Sequence, residues 1–153
     1  MRRPYIFRLE ENKAVVRRFI EVLNKKDLSF LVNNLTSPDY FDHLFRRDLK
    51  ETTKNLEMMC KGFPDFQFTI DDIIAEGDKV WALITFTGIH TGEWMGLAPT
   101  GKKVSYTGVT IRRINNGKYA EGWTIYDFLD FYKQLGLVEY TEKAKKLFPQ
   151  NIS

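Results

Sequence analysis

With 153 residues, 43% hydrophobic and 28% charged, the chain has the size and composition to bury one continuous apolar core without disulfide or metal staples, and it is neither disordered nor membrane-like. A formal net charge of +3, with Lys and Arg interspersed among Asp and Glu, offers no basic footprint for nucleic acid. The apolar runs fall far short of the roughly 20 residues that cross a bilayer, no apolar targeting segment follows Met1-Arg2-Arg3, and Cys60 is the only cysteine; the expectation is one cytoplasmic domain over residues 1–153, with no membrane partner and no internal disulfide.

From Asn12 to Leu23 the apolar residues Val15, Val16, Phe19, Ile20 and Leu23 recur at helical spacing, which predicts an amphipathic helix. Asp27 is placed to cap a second, short helix through Leu28, Leu31, Val32 and Leu35 that stops before Ser37-Pro38. Tyr40-Phe41-Asp42-His43 then reads as a connection between helices. Asp48 caps a third helix carrying Leu49, Leu56, Met59 and Cys60, and Gly62 and Pro64 end it. Cys60 has no cation ahead of it in this stretch to activate a thiol, so it is expected to fill core space.

After Pro64 the period changes to two: Phe66, Phe68 and Ile70 alternate with Gln67, Thr69 and Asp71. Gly77-Asp78 is a turn, and Lys79 to His90 is a long strand with Val80, Ala82, Ile84 and Phe86 on one face. Thr91 to Gly101, with three glycines and a proline, is a loop. Strands over Lys102 to Ile114 and Lys118 to Asp127 flank Asn115-Asn116-Gly117, a strong hairpin signal. Short helices follow over Phe128 to Leu135, closed by Gly136, and over Thr141 to Leu147. Helices first and antiparallel strands afterwards give an α+β class, a cone-shaped curved antiparallel sheet with the N-terminal helices packed over one face. Such a sheet encloses an apolar pocket.

Strict alternation on the last strand puts Tyr119, Glu121, Trp123, Ile125 and Asp127 on one face, the more aromatic and therefore the expected buried one. Two roles are open to Asp127: a general acid/base whose carboxyl pKa is raised by desolvation against the pocket, or the cap of the helix beginning at Phe128. Glu121 is a pocket candidate or one half of a cross-strand ion pair. His43 and His90 can orient a substrate or share a proton, since imidazole titrates near neutrality, or be structural. Phe19, Trp81, Phe86, Trp94, Tyr106 and Trp123 are the expected substrate-binding aromatics. No metal is expected, for the two histidines lack zinc-site spacing, and no Gly-rich nucleotide loop or GxSxG elbow is present.

Several strings resemble the SnoaL-like polyketide cyclase (ester cyclase) family of the nuclear-transport-factor-2-like, cystatin-like superfamily, over about residues 12–136 with 137–153 as a C-terminal tail. They are Tyr40-Phe41-Asp42-His43, Phe63-Pro64-Asp65, Glu76-Gly77-Asp78-Lys79-Val80, the long run from Gly88 through His90, Trp94 and Pro99 to Gly101, Glu121-Gly122-Trp123 with Asp127, and Gln134-Leu135-Gly136. The resemblance implies a cofactor-independent enzyme of cyclase, lyase or isomerase type that works on a carbonyl-containing, apolar or aromatic small molecule, with Asp127 as its acid/base and His43 and His90 as pocket neighbours. Gly122 departs from the pattern, because many members carry a histidine between the Glu and the Trp. The alternative is a non-catalytic small-molecule binding or carrier domain. A homodimer through the outer sheet face is expected, since Trp81 and Leu83 leave that face apolar as well.

Overall fold

The computed structural model describes residues 4–147. Helix α1 spans Tyr5–Asn24 and buries Val16, Ile20, Val22 and Leu23. It begins well before the apolar stripe at Asn12 because its ends are tied to the sheet. Tyr5 Oη donates to Glu76 Oε1 (2.9 Å) and accepts from the Gly77 amide (3.2 Å). At the far end the Asn24 side chain donates to the Phe68 carbonyl (2.9 Å) and accepts from its amide (2.8 Å), a backbone-like pair between helix and strand.

Asp27 caps the short α2, Leu28–Phe30, by accepting from the Phe30 amide, and the chain continues through one π-helical turn, Leu31–Leu35. Strand β1, Thr36–Asp42, follows where the sequence suggested only a connection, then β2, Arg47–Asp48. Asp48 and Glu51 form a reciprocal capping box that starts α3, Leu49–Gly62. Strands β3 (Gln67–Glu76), β4 (Lys79–Ile89), β5 (Lys103–Asn115) and β6 (Lys118–Tyr126) make the meander. Its β5–β6 turn has positive φ at both Asn116 and Gly117, as a tight primed turn requires. Asp127 caps α4, Phe128–Gln134, and Gly136 follows it with φ +79°; α5 covers Glu142–Leu147.

The six strands form one curved, unclosed sheet in the order β2-β1-β6-β5-β4-β3. The α+β class with helices over one face holds, with one correction: β1 runs parallel to β6, so the sheet is mixed. Alternation on β4 is as expected, with Val80, Ala82, Ile84 and Phe86 buried. The inner face packs in two apolar clusters. One joins Phe63, Phe66 and Phe86 to Phe131 and Leu135 of the C-terminal segment, and the other joins Val16, Tyr40 and Tyr119 to the start of β4. Each fully buried Phe contributes about 1.5–3 kcal/mol by leaving water. Among the described residues, no helix is long and apolar enough to cross a membrane.

Candidate functional site

Both clusters contribute to the wall of a cavity of about 400 Å³ between the inner sheet face and the helices. The order of side chains on β5 and β6 makes its two ends chemically different. At one end Phe86, Tyr106 and Tyr126 lie in a continuous parallel stack, with centroids 4.9 Å and then 4.2 Å apart. At the other, the cross-strand pairs Thr110 with Thr124 and Arg112 with Gly122 place polar groups inward. Burial pushes the phenols of Tyr40, Tyr106, Tyr119 and Tyr126 above their ordinary value, so they stay neutral hydroxyl groups; for Tyr40 and Tyr119 the nearby Arg112 opposes part of that shift.

Among the described residues Asp42 is the one carboxylate on the cavity wall, and it is 6% exposed. It ends β1, where its Oδ1 accepts from the amides of Leu44 and Phe45 at 3.0 Å each, so the turn after the strand holds it in place. Arg112 Nη2 donates to Thr124 Oγ1 (2.8 Å), and Nη1 donates to the carbonyls of Ile111 (3.3 Å) and Trp123 (3.4 Å). Its Nε is buried without a protein partner, as are Thr52 Oγ1 and Thr110 Oγ1 on the same wall.

Phe19, Phe86, Trp94 and Tyr106 line this cavity. The other expected site residues lie elsewhere. A bulge on β6 is the main cause: Ile114 pairs with Tyr119 and Arg113 with Glu121, so Ala120 is an extra residue and the alternation reverses beyond it. Tyr119, Gly122, Thr124 and Tyr126 therefore face the cavity, while Glu121 and Trp123 face out. Asp127 is exposed at the end of the strand, where Oδ1 accepts from the Asp130 amide (2.9 Å): the capping role is the one the structure displays. Trp81, opposite in phase to Val80, is on the outer face and 45% exposed.

His43 is also outside. It stacks on Trp123 (4.5 Å between centroids, 9° between planes), and its Nε2 lies 3.3 Å from Glu121 Oε2. The Arg113 guanidinium, 2.7 Å from Oε1, is the main cause that holds the Glu121 carboxyl below its usual value, with His43 adding to it. His90 faces inward but is sealed behind Phe63, fully buried, with Nδ1 bonded to Thr100. It fastens the loop after β4 rather than opening on the cavity. The residues that sequence reasoning missed are Asp42, Arg112, Tyr40, Thr110, Thr124 and Tyr126. For Arg112 and Thr110 a signal existed, since they share a face with Tyr106 on β5; for Asp42 it required recognising Thr36–Asp42 as a strand.

The family model described as SnoaL-like polyketide cyclase matches residues 13–135. Similar solved structures include AclR from Streptomyces galilaeus, a candidate hydroxylase (31% identity, 91% of this chain and 93% of that one, TM-score 0.80), and IdmH from Streptomyces antibioticus, a candidate polyketide cyclase (29%, 82% and 98%, TM-score 0.72). A candidate polyketide cyclase from Bacillus cereus is 26% identical over 84% of this chain and 83% of its own, with a TM-score of 0.71. A search of the curated proteins gives no match.

Proposed function

Because the chain belongs to the SnoaL-like polyketide cyclase family, we propose that it performs cyclase-type acid/base chemistry on a carbonyl-containing, largely apolar small molecule, with Asp42 as the proton-transferring group. The observation that carries this reading is that, among the described residues, Asp42 supplies the only carboxylate on the cavity wall. In the step, an Asp42 oxygen takes a proton from the carbon α to a ligand carbonyl. The resulting enolate carbon bonds to a second carbonyl carbon of the same molecule, and the proton passes to the alkoxide oxygen so formed. The stacked aromatic wall excludes water and holds a planar ligand at the distance the bond requires.

Asp127 sits in the string that carries the family resemblance, so the two carboxylates are tested together. Deuterium uptake from heavy water at the methyl group of 2-acetylnaphthalene, followed by NMR, reads proton removal without knowledge of the natural substrate. We expect the protein to accelerate uptake, Asp42→Asn to lower that rate by about 100-fold, and Asp127→Asn to leave most of it. The converse pattern assigns the chemistry to Asp127. The two backbone hydrogen bonds already made by Asp42 Oδ1 favour a second reading, a binding or carrier domain, and an unaccelerated rate in the presence of bound ketone would establish it.

A further inference from the structure

Arg112 is a part-buried cation on the cavity wall without a carboxylate partner. Its neighbour on the strand, Arg113, takes Glu121 on the outer face, and among the described residues no carboxylate lies within ion-pair distance of Arg112. Its hydrogen-bond partners are two carbonyls and the Thr124 hydroxyl, it lies over the Tyr119 ring (5.4 Å to the centroid) and interacts with that residue's phenol, all of them neutral, and Nε has no partner. A guanidinium withdrawn in part from water without an anionic partner is costly, and such charges are ordinarily paired. The space it occupies exists because Gly122, directly across the sheet, has no side chain.

The unpaired atoms are not scattered. Of the four buried side-chain N and O atoms without a partner among the described residues, three (Thr52 Oγ1, Thr110 Oγ1 and Arg112 Nε) belong to the cavity wall. Arg47 adds a second guanidinium to that wall, over the Phe45 ring (4.8 Å) and near Tyr126, against one carboxylate among the described lining residues, Asp42, whose Oδ1 is already satisfied by two amides. The aromatic stack of Phe86, Tyr106 and Tyr126 lies toward the other end from Arg112, so the cavity sets a flat aromatic wall against a cation.

We infer that the cavity selects a planar aromatic ligand bearing an ionised oxygen, a carboxylate or an ionised enol, whose oxygen is held by Arg112 with Thr110 beside it while its rings lie along Tyr106 and Tyr126. The inference rests on the cavity being the ligand site of the reading above, but not on any turnover there. A guanidinium bonds an anionic oxygen in a fixed geometry that a neutral isostere cannot match. Under the acid/base reading the same group stabilises the enolate oxygen that appears when Asp42 removes its proton.

The test is binding, measured calorimetrically, of 2-naphthoate and 2-hydroxy-1,4-naphthoquinone against their neutral counterparts methyl 2-naphthoate and 2-methoxy-1,4-naphthoquinone. We expect at least one anion to bind about 10-fold more tightly than its neutral partner, and Arg112→Met to bring the two within about 2-fold while neutral binding persists. A preference confined to naphthoate identifies a carboxylate ligand; one confined to the hydroxyquinone identifies an ionised enol. Arg112→Lys, which keeps the charge and loses the Nε–H, serves where the methionine variant fails to fold and is expected to lose about half of the preference on a logarithmic scale. Absence of any preference, or a preference that survives both substitutions, overturns the inference. The same titrations on Asp42→Asn separate the two claims: deuterium uptake judges the acid/base reading, and the anion preference, expected to be intact in that variant, judges this one.

Discussion

Gly122 and Arg112 face each other across β5 and β6, and a Cβ at Gly122 would stand 2.3 Å from Arg112 Nη1 and 2.3 Å from Tyr40 Oη. A histidine at this place could not coexist with the observed guanidinium position. Gly122→Ala is expected to displace Arg112 and Tyr40 at their flexible ends, costing about 1 kcal/mol in denaturant unfolding, and to weaken binding of an anionic aromatic more than that of its neutral partner. Equal stability with an unchanged anion preference would show that the close approach imposes nothing.

Acid should loosen the loop after β4 through His90. The Thr100 amide donates to Nδ1 (3.2 Å), which makes that nitrogen the acceptor and puts the proton on Nε2. Burial pushes the His90 pKa below its ordinary value, with the Gly92 backbone partly opposing. The unfolded chain thus takes up a proton at higher pH than the folded one. The stability this neutral imidazole provides is complete above about pH 6.5 and declines as pH falls through the lower folded value. Melting temperatures between pH 7.5 and 5 should therefore drop more steeply for the wild type than for His90→Gln, which is less stable at neutrality but lacks this titration. Parallel curves would remove His90 from the account.

We further propose that the outer sheet face pairs two copies of the chain. Ile74, Trp81, Ile111 and Trp123 are in register across four adjacent strands, and Leu83, Val109 and Ile125 form the next row. Ile74 is 62% exposed, Trp81 45% and Leu83 40%, a contiguous apolar surface of the kind that marks interfaces. Sedimentation at micromolar concentration should give twice the mass of one chain, and Trp81→Glu with Leu83→Glu should halve it while leaving ligand affinity in the cavity unchanged. A wild-type mass of one chain would dispose of the pairing.

The helices, the meander and its primed turn were legible because each rests on local chemistry. Asp27 and Asp48 cap where their side chains reach an amide, and Asn116-Gly117 adopts the positive φ that its residue types tolerate. Phe86 and Tyr106 followed from the phase of β4 and β5, which is unbroken between them, whereas Tyr126, the third ring of the stack, was assigned to the other face of β6. Strand β1 was hidden because Thr36-Ser37-Pro38-Asp39 has the composition of a turn, and its pairing to β6 is a long-range, parallel contact with no local mark. Arg112 and Arg113 are adjacent residues of one type; only the pleat assigns one to the inner cavity and the other to an ion pair on the outer face. The polar end of the site was misread for a different reason, the single unpaired residue in β6.

That residue, Ala120, acts as a phase setter for the strand. Deleting it would leave Glu121 across from Arg113 and Gly122 across from Arg112, so the wall would keep its lining. Drawing it into the ladder opposite Arg113 would do the reverse: every later side chain would slip by one position, with Glu121, Trp123 and Ile125 turned inward and Gly122, Thr124 and Tyr126 outward. The same residues would then set a carboxylate and an indole beside Arg112 in place of hydroxyl and phenol groups. One unpaired alanine thus decides which of the two faces of β6 the chamber presents.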